Sequence, residues 1–249
     1  IFFAIIGTYV GIIPVMIGLL WLPFIKKISK QKYHFFLALT AGLLLFLAID
    51  SIEESVEVSN ENLANSFNGT LLVATVVVLS FLTLYYLGNK IVAKADSLNF
   101  SKPVAIGLMI SIGIGLHNFG EGLAIGAAVG IGSIAFSTFL IVGFALHNTT
   151  EGIAIAAPMS RGKLMLGKLA IMGMIAGTPA IFGAWIGGFA YSPFTSVIFL
   201  AIGAGAIFQV ILVLMKWIQK ENDGNLSTLS VVSGFAIGML VMYLTSILV

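Results

Sequence analysis

Long apolar runs separated by short polar stretches occupy almost the whole chain. A helix needs about 20 mostly apolar residues to span a bilayer. Eight segments meet this length, with short polar or proline-containing stretches between them, at approximately residues 2–25, 34–57, 69–92, 103–130, 133–158, 164–190, 194–217 and 227–249. The pattern predicts an all-α, polytopic integral membrane protein with eight transmembrane helices, forming a single transmembrane domain over residues 1–249.

The composition agrees with this prediction and excludes several kinds of site. The sequence is 59% hydrophobic and 9% charged, whereas a soluble domain carries about 25% charged residues. The chain has no cysteine, so disulfides, iron–sulfur clusters and thiolate metal sites are excluded. Lysines follow the first apolar run, which favours a spanning helix over a cleaved signal peptide.

The basic residues predict the orientation in the membrane. All twelve fall on one side of the eight-helix arrangement: Lys26, Lys27, Lys30, Lys32, Lys90, Lys94, Lys102, Arg161, Lys163, Lys168, Lys216 and Lys220. The side richer in lysine and arginine faces the cytoplasm. We therefore expect a multi-pass protein of the plasma (inner) membrane, with both termini outside the cytoplasm.

Acidic residues gather near the opposite end of the second segment. Asp50 and Glu54 are spaced i, i+4, as are Glu53 and Glu57, so they form stripes along a helix. Acidic groups at a mouth concentrate cations. We expect Asp50 to act as a transit ligand and Glu53 and Glu54 to line an entrance. For Glu57, a solvated helix end explains the charge equally well.

A polar motif occurs twice within the apolar sequence. His117-Asn118 is followed by Glu121-Gly122, and His147-Asn148 is followed by Glu151-Gly152. A spacing of four places the histidine and glutamate of each copy on one helix face. A short turn near 130–133 predicts an antiparallel hairpin that brings the copies to one depth. Such an arrangement indicates inverted-repeat pseudo-symmetry about an axis in the membrane plane.

These residue types are ligands for divalent first-row metals. Imidazole nitrogen, carboxylate oxygen and amide oxygen all bind Zn²⁺, Fe²⁺ or Mn²⁺. No lysine or arginine lies at the depth of Glu121 and Glu151, so a dication would balance their two charges. The simpler interpretation, hydrogen-bonded histidines and protonated glutamates that only stabilise packing, is weakened by the duplication. Gln209 fits a metal-ligand role and an interhelical hydrogen bond equally, and Thr178 fits a structural role better.

The duplicated motif resembles that of the ZIP (Zrt-, Irt-like protein) family of divalent metal transporters, prokaryotic type. His117, Asn118, Glu121, His147, Asn148 and Glu151 match its two HNxxEG segments. The resemblance implies a two-metal site between the fourth and fifth helices, assisted by the second, sixth and seventh. It also implies movement of zinc, iron, manganese or cadmium toward the cytoplasm.

The chain departs from the family pattern in four places. Gly120 and Thr150 stand where many relatives have proline before the motif glutamates. Thr178-Pro179 replaces a Glu-Pro segment, and Gln209 stands where acidic residues are common. A histidine-rich loop is absent between residues 89 and 103. We therefore expect one strong metal position and a second that is weak or missing.

The leading functional hypothesis is transmembrane transport of a divalent metal, zinc foremost, by alternating access around this site. The metal is then the substrate, and no prosthetic group is expected. The alternatives are an intramembrane zinc-dependent hydrolase and a metal sensor that does not transport. The first lacks an HExxH motif, and the second lacks a soluble output region. We expect that the protein is not an enzyme. Its expected partners are metal ions and the lipid bilayer, with a homodimer as one alternative to a monomer, and nucleic acid is not an expected partner.

Overall fold

The computed structural model describes residues 1–63, 68–94, 101–160 and 166–247, and within these residues the regular structure is entirely helical. We number the helices α1 to α8: Phe2–Ile25, Lys30–Leu63, Gly69–Ala93, Lys102–Gly130, Ile134–Met159, Leu166–Ala190, Pro193–Glu221 and Leu229–Ile247. Seven of them, α1 to α7, are long and apolar enough to cross a membrane. The chain therefore has the helices of a multi-pass membrane protein.

The eighth predicted span is less clear. Helix α8 is present, but its apolar part is a shorter stretch, Leu229–Leu244, and residues 248–249 lie outside the described residues. The predicted cytoplasmic residues Arg161 and Lys163 also lie outside them. The described residues thus support seven spans and a further, shorter apolar helix.

Helix α2 is longer than its apolar pattern predicts. The pattern indicates residues 34–57, whereas the helix runs from Lys30 to Leu63. Hydropathy marks only the apolar part of a helix, while lysine, glutamine and glutamate continue a helix readily into polar surroundings. Asp50, Glu53, Glu54 and Glu57 consequently all project from regular helix.

Helices α1 and α6 are irregular. In α1, a π-helical stretch, Thr8–Ile12, precedes Pro14. Helix α6 consists of Leu166–Gly177 and Pro179–Ala190, with Thr178 between them. Proline has no N–H and therefore leaves a carbonyl in the preceding turn without its usual partner. Both irregular helices pack beside the helices that carry the duplicated motif.

Glycines bring the helices into close contact. Helix α4 packs on α6 and α5 packs on α1, while α2 packs on α8 and α7 packs on α3. A Cβ added at Gly126 of α4 would lie 2.8 Å from the backbone nitrogen of Gly188 in α6. Small residues permit such backbone approach between membrane helices. Helix α7 also packs against α2 and α4, so it connects helices α2, α3 and α8 with helices α4 and α6.

The helices alternate in direction, so the bundle has two chemically distinct ends. Lys30 begins α2 and Lys220 lies in the last turn of α7, and the Tyr33 hydroxyl of α2 accepts a hydrogen bond from Trp217 Nε1 of α7 at 3.0 Å. We call this the basic end. The acidic end is the opposite one, where Glu57 and Glu61 lie on α2. A large apolar cluster, including Leu37, Leu44, Ile110, Ile155 and Leu214, fills the interior on the side of the basic end.

Candidate metal centre

Three buried side chains from the duplicated motif converge between α4 and α5. His117, Glu121 and His147 each offer a ligand atom, and these atoms lie within 4.8 Å of one another. His117 Nε2 lies 3.0 Å from Glu121 Oε1, and His147 Nε2 contacts the same oxygen. All three residues are at most 8% exposed. We call this group the His–Glu cluster.

The local geometry follows from the sequence. Residues four apart on a helix face the same way, which brings His117 onto Glu121 within α4. Helix α5 returns after a turn in which Gly132 has φ +74°, in the left-handed region that favours glycine. This hairpin places His147 of α5 against Glu121 of α4, as the motif spacing predicts.

The two motif asparagines connect the cluster to the irregular helices. Asn148 Nδ2 donates to Glu121 Oε2 at 3.0 Å and to the Val10 carbonyl at 3.1 Å. Val10 lies four residues before Pro14, whose missing N–H leaves that carbonyl available. Asn118 Nδ2 donates to the Ala176 carbonyl at 3.1 Å, two residues before the break at Thr178. Each asparagine therefore fixes its motif helix to a neighbour.

The amide oxygens of these asparagines remain available. Asn118 Oδ1 and Asn148 Oδ1 are buried and accept no hydrogen bond from the described residues. A buried polar atom without a partner is costly and calls for an explanation such as an ion or water. Both oxygens are suitable metal ligands, so the predicted roles of Asn118 and Asn148 fit their chemistry.

The glycines that follow the motif glutamates are packing residues. A Cβ added at Gly122 would lie 2.9 Å from the Ala184 nitrogen of α6. One added at Gly152 would lie 2.8 Å from the Gly18 Cα of α1. The two copies of the motif thus use glycine for the same purpose, close contact with α6 and with α1.

Glu151 lies outside the three-residue group. It is 2% exposed, and neither carboxylate oxygen accepts a hydrogen bond of normal geometry from the described residues, although the Asn118 amide is close to it. It follows His147 by one helical turn, toward the basic end. The carboxylate lines a cavity of about 10 Å³ between α5, α2 and α8.

Acidic side chains of α2 lead from the surface to the cluster. Asp50 is exposed and interacts electrostatically with His117 and His147. Glu54 is partly buried and interacts with Asp50 and Glu121, while Glu53 is exposed. The predicted transit and entrance residues therefore lie on the same side of the bundle as the cluster.

Ser51 is a site residue that the sequence analysis does not identify. Its buried hydroxyl lies 3.4 Å from His117 Nδ1 and donates to the Leu47 carbonyl at 2.9 Å. The only sequence signal was its position next to Asp50, since a serine in an apolar helix ordinarily bonds to its own backbone in this way. Only the tertiary structure, in which α2 and α4 both pack on α7, reveals its contact with the histidine.

Gln209 and Thr178 lie away from the cluster. A Cβ added at Gly88 of α3 would lie 3.0 Å from Gln209 Nε2. Gly203, whose added Cβ would lie 3.0 Å from the His117 Cα, precedes Gln209 by six residues, or about 9 Å of helix. Gln209 Oε1 is buried without a partner among the described residues, and both roles, metal ligand and interhelical hydrogen bond, stay predictions. Thr178 occupies the break in α6, as its structural interpretation predicts.

Comparison with known proteins gives no further guide to this site: no protein-family model matches the chain, and no curated protein does.

Proposed function

We propose that this protein transports divalent transition-metal cations across a membrane toward the cytoplasm, with zinc as the foremost substrate. The observation that carries the proposal is the buried His–Glu cluster, in which two imidazoles and a carboxylate lie within 4.8 Å of one another. Ionisable residues inside a membrane bundle mark ion or substrate pathways by default. The resemblance of both motif copies to the ZIP family supports the same function.

The charge distribution supports a direction of movement. Acidic residues of α2 reach from the exposed surface to the cluster, and such a path attracts cations. Lysines lie at the other end of the bundle, which the positive-inside rule assigns to the cytoplasm. We therefore propose eight spans with both termini outside, in the plasma (inner) membrane, and metal entry from the acidic end.

The packing supports the proposed inverted repeat. Asn118 of α4 bonds to α6, and Asn148 of α5 bonds to α1, in each case near an irregular backbone. Gly122 and Gly152 make the corresponding close contacts. In such folds the substrate binds on the pseudo-two-fold axis and access alternates between the two sides. We propose alternating access around the His–Glu cluster, with Asn118, Asn148, Glu151 and Asp50 as further ligands.

The metal preference follows from the available donor atoms. Nitrogen and oxygen ligands without thiolate suit Zn²⁺ and also accept Fe²⁺, Mn²⁺ and Cd²⁺, whereas Cu(I) favours sulfur. Each of the three cluster residues supplies one ligand atom, and zinc prefers four ligands in a tetrahedral arrangement. The unpartnered Asn148 Oδ1 is well suited to complete the set.

Metal uptake into proteoliposomes tests the proposal. We expect the wild-type protein to accumulate Zn²⁺, and Glu121→Ala and Glu151→Ala to abolish accumulation because each removes a buried carboxylate ligand. Glu61→Ala, at an exposed position on the polar end of α2, is the matched control and should behave as wild type. Uptake at the wild-type rate in both buried-site variants would contradict the proposal. Cleavage of a lipid or peptide that is lost on chelation would instead support the hydrolase alternative.

A further inference from the structure

A cavity of about 270 Å³ lies between α3, α4 and α7 at the basic end of the bundle, away from the His–Glu cluster. One part of its lining is apolar and includes Ile106, Met109 and Val213. The other part is polar and consists of Asn89, Lys216 and Lys220. The cavity is therefore amphipathic, with hydrocarbon on one side and two cationic side chains on the other.

The uneven packing of α3 leaves this space. Helix α3 packs on α7 but makes little contact with α4. Nearer the acidic end, α3 and α7 are joined closely, because the Ser80 hydroxyl donates to the Ile202 carbonyl at 2.8 Å. Nearer the basic end, α3 presents Gly88 to α4, and the flexible end of Met109 approaches it. Atoms that line a gap lose dispersion contacts, so an apolar occupant would restore them.

Two lysines of α7 stand at the polar side of the cavity. Lys216 and Lys220 are four residues apart, so they lie on one helix face, and both are exposed. Lys216 Nζ donates to the Tyr85 hydroxyl of α3 at 3.3 Å, which places the ammonium across the space between α7 and α3. An ammonium has three donors, so others remain for a ligand. Neither lysine forms an ion pair with a carboxylate of the described residues, and Glu221 points about 100° away from Lys220 around the helix.

The position of the cavity matches the boundary between hydrocarbon and water. Trp217 also lines it, and tryptophan is enriched at membrane interfaces. The cytoplasmic leaflet, which the basic end is expected to face, carries anionic lipids, and basic pockets between membrane helices on that side bind their headgroups. A soluble anion would use only the lysines, and a neutral lipid would use only the apolar lining. An anionic lipid uses both.

We propose that this cavity binds an anionic phospholipid from the surrounding leaflet. Its phosphate contacts Lys216, Lys220 and the Asn89 amide, and the upper part of one acyl chain lies along Met109 and Val213. The bound lipid joins α3 to α4 at the end where these helices make little contact. The site uses none of the metal ligands, so the inference does not depend on the proposed transport function.

Native mass spectrometry of the detergent-purified protein tests the headgroup contact. We expect dioleoylphosphatidylglycerol to bind about tenfold more tightly than dioleoylphosphatidylcholine, which has the same chains and no net charge. Lys216→Gln combined with Lys220→Gln should weaken phosphatidylglycerol binding by about 10- to 30-fold, since each lysine near an anionic lipid contributes about fivefold. Lys26→Gln combined with Lys27→Gln is the matched control, because it removes the same charge from exposed positions at the basic end outside the cavity. Equal wild-type affinity for the two lipids, or equal losses in the two double variants, overturns the site.

Thermal unfolding tests whether the acyl chain enters the cavity. Phosphatidylglycerol should raise the Tm of the wild-type protein, whereas inorganic phosphate at the same concentration should not, because it brings no hydrocarbon. Val213→Phe keeps both lysines but fills the apolar part, so it should unfold near the wild-type Tm without lipid and lose most of the rise with lipid. A full rise in this variant, or an equal rise with inorganic phosphate, overturns the proposed lipid. A protein that fails to transport Zn²⁺ leaves both measurements unaffected.

Discussion

Glu121 is the residue on which the contacts of the cluster converge. One carboxylate oxygen faces His117 Nε2 and His147 Nε2, and the other accepts a bond from Asn148. Three polar partners therefore hold this side chain, whereas Glu151, its counterpart in the second motif copy, has none of normal geometry among the described residues. The two glutamates share a motif but differ in environment. The contacts of the cluster therefore hold Glu121 in place, whereas those of the described residues hold Glu151 less firmly.

Glu121→Gln should weaken Zn²⁺ binding by about 100-fold or more. The amide preserves the size of the side chain but removes its charge, and loss of a mere supporting partner of a metal ligand already costs about 10- to 100-fold. Isothermal titration of the purified protein with Zn²⁺ measures the change. Glu61→Gln, at an exposed position, is the charge-matched control. Unchanged affinity in Glu121→Gln would exclude Glu121 as a ligand.

Asn148→Ala tests how far the cluster depends on its connection to α1. The variant removes the amide that joins Glu121 to the Val10 carbonyl and leaves that carbonyl without this partner. We expect Zn²⁺ affinity to fall by about 10- to 100-fold and stability to fall by about 1–3 kcal/mol. Titration and thermal unfolding measure the two effects separately. A loss of affinity without a loss of stability would indicate a ligand role alone.

At the scale of helices, glycine and proline decide how the motif is held. Proline interrupts regular hydrogen bonding near Val10 in α1 and at Thr178 in α6, and asparagines of α5 and α4 bond to carbonyls beside these interruptions. Glycine contacts keep the same helices close enough for those bonds. Irregular backbone at membrane depth persists only where its polar groups find such partners.

Gly152→Ala should destabilise the α1–α5 contact. The added Cβ would lie 2.8 Å from the Gly18 Cα, and backbone on both sides leaves it no flexible neighbour to displace. Overpacking of this kind costs about 1–3 kcal/mol. Gly167→Ala is the matched control, because nothing lies within 4 Å of a Cβ added there. Thermal unfolding in detergent should show a lower transition temperature for Gly152→Ala only, and equal behaviour of the two variants would contradict the close contact.

At the scale of the whole molecule, the described lysines lie at the basic end and a group of α2 carboxylates at the acidic end, with the His–Glu cluster between them. This division predicts the orientation, and the absence of cysteine makes it directly measurable. Ile131, between α4 and α5, and Asn225, between α7 and α8, are both exposed. They lie at opposite ends of the bundle.

Single cysteines at these positions test the orientation. A membrane-impermeant maleimide should label Ile131→Cys in intact cells, and should label Asn225→Cys only after permeabilisation, because the basic end is expected in the cytoplasm. The cysteine-free parent protein is the background control. Labelling of Asn225→Cys in intact cells would reverse the proposed orientation.

Neutralising the entrance tests whether the acidic end attracts the substrate. Glu53→Gln combined with Glu54→Gln should raise the KM for Zn²⁺ uptake by about 2- to 5-fold at low ionic strength. Added salt should reduce the difference in KM between this variant and the wild type. The maximal rate should change little because the cluster is intact. Asp223→Asn, which removes an exposed carboxylate at the basic end, is the control and should leave the KM unchanged. A salt-independent effect would indicate direct ligation rather than attraction.

The sequence determined the helical class, the approximate spans and the motif residues that meet. Hydropathy is a local property with a length requirement set by the bilayer, and residues four apart face the same way on any helix. His117, Glu121 and His147 could therefore be brought together from spacing and a short turn alone. The ends of α2 lie beyond the predicted segment because hydropathy marks only the apolar part of a helix, while the helix itself continues into polar residues.

Only the tertiary structure decided which neighbours complete the site. The contact of Ser51 with His117, the bonds of Asn148 to Val10 and of Asn118 to Ala176, and the displacement of Gln209 toward α3 all depend on the packing of distant helices. Spacing along one helix specifies a face, but which helix that face meets is set by long-range packing through glycine contacts.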